Sequence, residues 1–145
     1  MPNWGVLIAV NDGTRPVIGI MDQPFTGERF TGVMLADHQS ATLDTHDGQN
    51  GLSTRAATLE TALMCCTDPT MFQDAPERTA FARLGERVRM TRYGTDCYGY
   101  ALLAMGQVDL VVEASLKPYD IQALMPLIEA AGGVVTDWQG GDCQQ

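Results

Sequence analysis

The run YGTDCYGYALLAMGQVDLVVEASLKPYDIQALMPLIEAAGGVVTDWQG, Tyr93–Gly140, switches repeatedly between a helical and an extended hydrophobic period. Gly94 predicts a helix start, after which Tyr98, Ala101, Leu102 and Met105 recur at helical spacing until Gly106. Val108–Glu113 (VDLVVE) reads as a strand. Asp120 opens a further helix, with Ile121, Leu124, Leu127, Ile128 and Ala131 facing inward and Gly132-Gly133 as its stop. Val134-Val135-Thr136 is expected to form a last strand, ended by Gly140-Gly141. Pro126 is discordant, because an interior proline removes a backbone bond at a cost of about 3 kcal/mol. Either the helix kinks there or the carbonyl it frees faces water.

Upstream of this run, Asp74-Ala75-Pro76-Glu77 marks another helix start, with Asp74 as N-cap and Glu77 placed for a capping box. Phe81 and Leu84 follow on one face, and Leu59–Cys66 reads as a strand. Residues 52–145 therefore predict an alternating, layered α/β unit. Residues 1–51 read differently. Gly5–Val10 and Pro16–Met21 are short apolar runs joined by Asn11-Asp12-Gly13-Thr14, a hairpin signature. Glu28–Leu35 follows a Pro24/Gly27 turn as a third strand, so the first unit is an antiparallel meander. Residues 36–58 are polar and turn-rich and read as a connection, with the boundary near residue 52. A good apolar strand starting at residue 5 suggests a chain that begins in the middle of a fold.

The chain has 145 residues with 18 acidic and 9 basic side chains, a formal charge of −9. That balance argues against nucleic acid or an anionic membrane as partner, since both need a basic face. No run approaches the roughly 20 apolar residues of a membrane span, and no basic segment precedes the first apolar run. A soluble, cytoplasmic chain is expected. Cys65, Cys66, Cys97 and Cys143 lack C-x-x-C spacing and read as free thiols. His38 and His46 stand alone in polar sequence.

The densest polar cluster is Tyr93-Gly94-Thr95-Asp96, then Glu113, then Lys117-Pro118-Tyr119-Asp120. Gly94 lets backbone approach a ligand, Glu113 closes a strand, and Asp120 opens a helix, all at element ends where α/β sites form. A carboxylate at a helix N-terminus stays ionised and suits a hard cation such as magnesium. The plainer reading is also open: Asp96 and Asp120 as helix caps, Glu113 as a solvated carboxylate.

With its Gly-Thr helix start, its strand ending in Glu and an Asp-led helix ending in Glu-Ala-Ala-Gly-Gly, this run resembles the C-terminal half of the inositol monophosphatase superfamily. The Asp-Cys-Tyr and Leu-Lys-Pro-Tyr-Asp segments, with NWGVLIAV and IGIMDQPFTGERF upstream, are most similar to its histidinol-phosphate phosphatase branch. The resemblance covers nearly the whole chain and implies a partial αβαβα fold and a Mg2+-dependent phosphomonoesterase of histidine biosynthesis. It implies Asp120 as a metal ligand, Gly94 and Thr95 as pocket backbone, and Glu113 as a substrate contact. Asp96 adds a second carboxylate, which would suit the amine and imidazole of histidinol phosphate. Alternatives are a phosphatase for inositol phosphate or another small phosphomonoester, and a non-catalytic binding or assembly domain.

The family's remaining metal ligands come from an upstream Glu and an Asp-Pro-x-Asp-Gly-Thr motif, and neither is in this sequence. Asn11-Asp12-Gly13-Thr14 is no substitute, because it lacks Asp-Pro and sits in a hairpin turn. No catalytic residue is therefore assigned. The expectation is a fragment with little activity alone, which forms a homo-oligomer or joins a complementary N-terminal half.

Overall fold

Neighbouring stretches of chain pair with one another to build the first sheet. In the computed structural model, which describes residues 4–143, five strands lie side by side in sequence order: β1 (Val6–Asn11), β2 (Pro16–Gln23), β3 (Glu28–Met34), β4 (Gln39–Thr45) and β5 (Gly48–Gly51). All pairings are antiparallel. At the β1–β2 turn, Asp12 Oδ1 accepts the backbone N–H groups of Thr14 at 2.7 Å and Arg15 at 3.0 Å. The Thr14 hydroxyl, and then those backbone bonds, hold the Asp12 carboxyl down at about 2, and they occupy it as a turn residue. The expected connection over residues 36–58 is corrected here, since β4 and β5 lie within it.

The inner face of this sheet carries two kinds of row. Leu7, Met21, Phe30 and Leu43 are cross-strand partners and form a row of large side chains; Ala9, Gly19, Gly32 and Ala41 form a parallel row of small ones. Helix α4 (Leu124–Ala130) lies along the small row, against β2, β3 and β4. The approach is backbone to backbone. A Cβ placed on Gly32 would lie 2.2 Å from the Leu127 backbone nitrogen, and one on Gly19 would lie 1.8 Å from the Ala123 carbonyl oxygen.

The second sheet is parallel, in the order β7–β6–β8, from β6 (Leu63–Cys66), β7 (Met90–Tyr93) and β8 (Leu110–Val111). Helix α1 (Ala75–Gly85) packs Phe81 and Leu84 with Met64, Cys66 and Phe72 on one side of it. Helix α2 (Cys97–Ala104) and α4 fill the space between the sheets around Tyr100, Ala101, Leu124 and Leu127. Asp109, just before β8, fastens the base of this unit. Its carboxylate takes a bidentate pair from Arg55 at 2.7 and 2.8 Å and the Leu63 N–H at 2.8 Å.

Several boundaries differ from the sequence expectation. The strand expected over Leu59–Cys66 starts at Leu63, behind a turn, and β7 was not anticipated. The helix expected from Gly94 begins at Cys97, and the strand expected over Val108–Glu113 shrinks to Leu110–Val111. Asp74 is the N-cap of α1 but makes no side-chain cap bond. The helix expected from Asp120 is two helices, α3 (Pro118–Ile121) and α4. The break resolves Pro126, which falls in the first turn of α4, where an N–H has no helical acceptor in any case. No strand forms at Val134–Thr136 among the described residues.

Candidate active site

Three parallel strands deliver their carboxyl ends to one place, and one residue ties them together. Thr67, directly after β6, accepts the Gly94 N–H on its carbonyl at 2.9 Å. The same Thr67 donates its N–H to Glu113 Oε1 at 3.1 Å, and its hydroxyl bonds to that oxygen as well. Tyr100 of α2 donates its hydroxyl to Glu113 Oε2 at 2.8 Å. Glu113 is thus fixed through both oxygens. Hydrogen bonds to a charged group typically contribute about 1.5–3 kcal/mol each. Burial, and then the facing carboxylate of Glu113, push the Tyr100 phenol far above its ordinary range, so it stays a donor.

Gly94 follows β7 with φ of 76°, a conformation that other residues adopt only under strain. Thr95 lays its side chain over Gly99 in the first turn of α2. Asp96 is the N-cap of α2 and accepts the Cys97 N–H on its side chain at 2.7 Å. It does so at φ 50° and ψ −150°, a region close to glycine-only, which costs on the order of 1–3 kcal/mol. The structure therefore gathers Gly94, Thr95, Asp96 and Glu113 at one sheet end. Thr67 and Tyr100 belong to the same cluster and escaped sequence reasoning. A polar residue straight after an apolar strand, as in CCTDP, was the available signal for Thr67; Tyr100 had none.

Asp120 is engaged at its own helix start. Its Oδ2 accepts the Lys117 N–H at 2.8 Å and closes the start of α3. A cavity of about 750 Å³ lies between β8 and residues 134–138, lined by Glu113, Tyr100, Lys117, Asp137 and Trp138 among others, but not by Asp120, Thr95 or Asp96. Among the described residues no three His, Cys, Asp or Glu side chains come close enough to hold a metal ion. Magnesium prefers near-octahedral oxygen ligation with at least one or two carboxylates. The residues here do not make a magnesium centre on their own.

The other candidate nucleophiles and ligands are occupied or inert. Burial pushes the Cys66 and Cys97 thiols up to about 11, and no disulfide joins any two of the four cysteines. His38 Nε2 lies 3.1 Å from the Ser40 hydroxyl, and His46 pairs with Asp47 at 3.2 Å, both on the meander. No helix of the described residues is long and apolar enough to cross a membrane.

Residues 1–144 match the model of the inositol monophosphatase family. The bifunctional phosphatase IMPL2, chloroplastic, of Arabidopsis thaliana is 43% identical over 140 residues, covering 96% of this chain and 38% of that protein. A histidinol-phosphatase of Chlorobaculum parvum is 25% identical over 143 residues, covering 97% of this chain and 52% of its own. The solved structure of an inositol monophosphatase from Zymomonas mobilis superposes with a TM-score of 0.87 at 38% identity, over 97% of this chain and 53% of that one. The mixed α/β fold is that of such structures. The chain spans about half, or less, of the length of these relatives.

Proposed function

This chain belongs to the inositol monophosphatase family, and on that premise we propose that it supplies the substrate-binding part of a phosphatase acting on histidinol phosphate. The observation that carries the reading is Glu113, clamped by Thr67 and Tyr100 beside the Gly94–Asp96 turn. A carboxylate held through both oxygens cannot swing away, so it presents fixed negative charge to a bound molecule. Asp96, exposed at the head of α2, adds a second negative charge on the same sheet end. An amine- and imidazole-bearing phosphomonoester complements that pair better than a neutral polyol does. Residues 52–145 form the substrate-binding unit in this reading, and residues 1–51 the remainder of a metal-binding unit.

Enzymes of this family use divalent metal ions, typically Mg2+. Asp120 is proposed to lend one ligand oxygen, Oδ1, while Oδ2 stays engaged at Lys117. One carboxylate is too few, so hydrolysis requires groups from the part of the relatives that this chain does not span. The second reading, a phosphatase for inositol phosphate, is favoured by the 38% identity to the Zymomonas mobilis protein.

Phosphate release is the test, measured on histidinol phosphate and on inositol 1-phosphate with and without magnesium. The chain alone is expected to release none. Joined to the unmatched segment of the Zymomonas mobilis protein, it should hydrolyse histidinol phosphate with the higher kcat/KM. Glu113→Gln should then erode that preference by about tenfold, one charge-assisted contact. A preference for inositol phosphate that Glu113→Gln leaves unchanged would sink the histidinol reading in favour of the second one.

A further inference from the structure

Between β7 and α2 the chain leaves one sheet and is fastened to the other in the short run Gly94–Tyr98. On the near side Gly94 is held to the parallel sheet, its N–H donating to the carbonyls of Cys66 at 3.2 Å and Thr67 at 2.9 Å. On the far side Tyr98 is held to the meander. Its hydroxyl donates to Glu28 Oε2 at 2.8 Å, a bond across 70 residues of chain. Its ring stands edge-on to the buried Phe30, with centroids 6.2 Å apart and planes at 81°. Glu28 opens β3, and the Thr26 hydroxyl bonds to the same carboxylate oxygen at 2.7 Å. Burial, and then the bond to Glu28, push the Tyr98 phenol up to about 12, so it stays a donor at neutral pH.

Asp96 lies midway between these two anchors, and it carries the strain of the crossing. Its φ of 50° with ψ of −150° persists only where the surroundings fix the chain on both sides. A glycine at this position would take the bend freely, so a carboxylate is kept here against a conformational cost. The cap bond to the Cys97 N–H, at 2.7 Å, does not explain it. That bond joins adjacent residues and travels with Asp96 however the turn is aimed. What aims the turn is the anchor on each side. The one at Gly94 is made by backbone, and the one at Tyr98 is made by side chains.

We infer that Tyr98, anchored by Glu28, is a positioning residue for Asp96: the tie to the meander holds the first turn of α2 so that the Asp96 carboxylate stays at the sheet end where Glu113 lies. The inference rests on the reading of Asp96 as a contact for the cationic part of the substrate, and it supplies the reason why an exposed carboxylate keeps one direction. It also gives residues 1–51 a share in substrate selectivity, through Glu28 on the other sheet.

Hydrogen exchange at the Cys97 amide, read on this chain without substrate, tests the tie. Tyr98→Phe keeps the ring against Phe30 and removes the hydroxyl; exchange at Cys97 should quicken about tenfold while the amides of β6 and α4 hold their rates. Glu28→Ala should match it, and the two changes together should do no more than either alone. Glu28→Gln still offers a carbonyl oxygen and should restore most of the protection. In the joined enzyme, Tyr98→Phe should lower the preference for histidinol phosphate about fivefold, through KM and not kcat, and should add nothing in an Asp96→Asn background. Unchanged exchange at Cys97 overturns the proposal, and so does a preference that Asp96→Asn removes and Tyr98→Phe leaves intact. Quickened exchange with a preference that neither variant alters upholds the tie and sinks instead the reading of Asp96 as a substrate contact.

Discussion

The meander and the parallel unit solve the same problem by different means. The meander pairs each strand with its sequence neighbour, and its inner face is shaped by what is missing: side chains at Gly19 and Gly32, so that α4 can rest on bare backbone. The parallel unit brings together residues far apart in sequence, and it does so with polar bonds at both ends of its strands. Arg55, Leu63 and Asp109 close the base, and Thr67, Gly94, Glu113 and Tyr100 close the top. Packing space limits the first region. Hydrogen-bond satisfaction limits the second, and the candidate site lies where those bonds converge.

The sharpest way to break this contrast is Gly32→Ala. The added methyl meets the backbone of Pro126 and Leu127, which cannot rotate aside. Overpacking typically costs about 1–3 kcal/mol and more where backbone must move, so a loss of about 3 kcal/mol is expected in urea unfolding. Gly51→Ala, in the same sheet with nothing within 4 Å, should change stability by less than about 0.5 kcal/mol. Equal effects from the two would mean that α4 does not sit as described.

Next comes Asp109→Ala, which strips partners from Arg55 and from the Leu63 N–H. Arg55 is half exposed and can reach water, so the expected cost is about 2 kcal/mol, most of it from the orphaned amide. Tyr100→Phe removes one bond to Glu113 and should cost about 1 kcal/mol of stability. Its diagnostic reading is a raised KM in the joined enzyme with kcat little changed, since Glu113 keeps Thr67 and loses only its second anchor.

Alkali should also separate the two regions. Burial raises Cys66 and Cys97 to about 11, and burial with the Glu28 bond raises Tyr98 to about 12. The folded state holds these protons more tightly than the unfolded chain, whose thiols and phenol titrate near 9 and 10. Their stabilisation is complete below pH 9 and disappears as pH climbs through 11 to 12. Hydrogen exchange should show α2 and β6 loosening before β2–β4; simultaneous loss would mean the regions unfold as one. Smallest is Asp96→Gly, which relieves backbone strain and removes a cap, so stability should stay within about 1 kcal/mol of its starting value. A large loss would mean Asp96 has contacts beyond its cap.

The sequence was most legible where local pattern and structure coincide. The Asn11–Thr14 hairpin, β1 to β3 and the helical periodicity after Cys97 all follow from short-range apolar spacing. β4 was illegible because QSATLDT buries only Ala41, and β5 has no apolar residue at all; both exist because β3 offers a backbone to pair with. The long helix around Pro126 was misread because apolar spacing runs unbroken through Gln122-Ala123, where the chain turns to seat itself over Gly19. At the site, Gly94, Thr95, Asp96 and Glu113 could be read from their places at element ends. Thr67 could not be connected to Glu113, 46 residues away, because that bond is a product of the parallel sheet itself.

The trough of small residues has a consequence for how the molecule reaches its native state. Strands β1 to β5 need only loops of a few residues to close, which form in microseconds as hairpins. Seating α4 on Gly19 and Gly32 instead closes a loop of roughly a hundred residues, a penalty that grows slowly with length but brings no reward until contact is made. Refolding should therefore show an early β signal and a late step in which the helix reaches its groove. Gly32→Ala belongs to that late step and should speed unfolding far more than it slows the first phase.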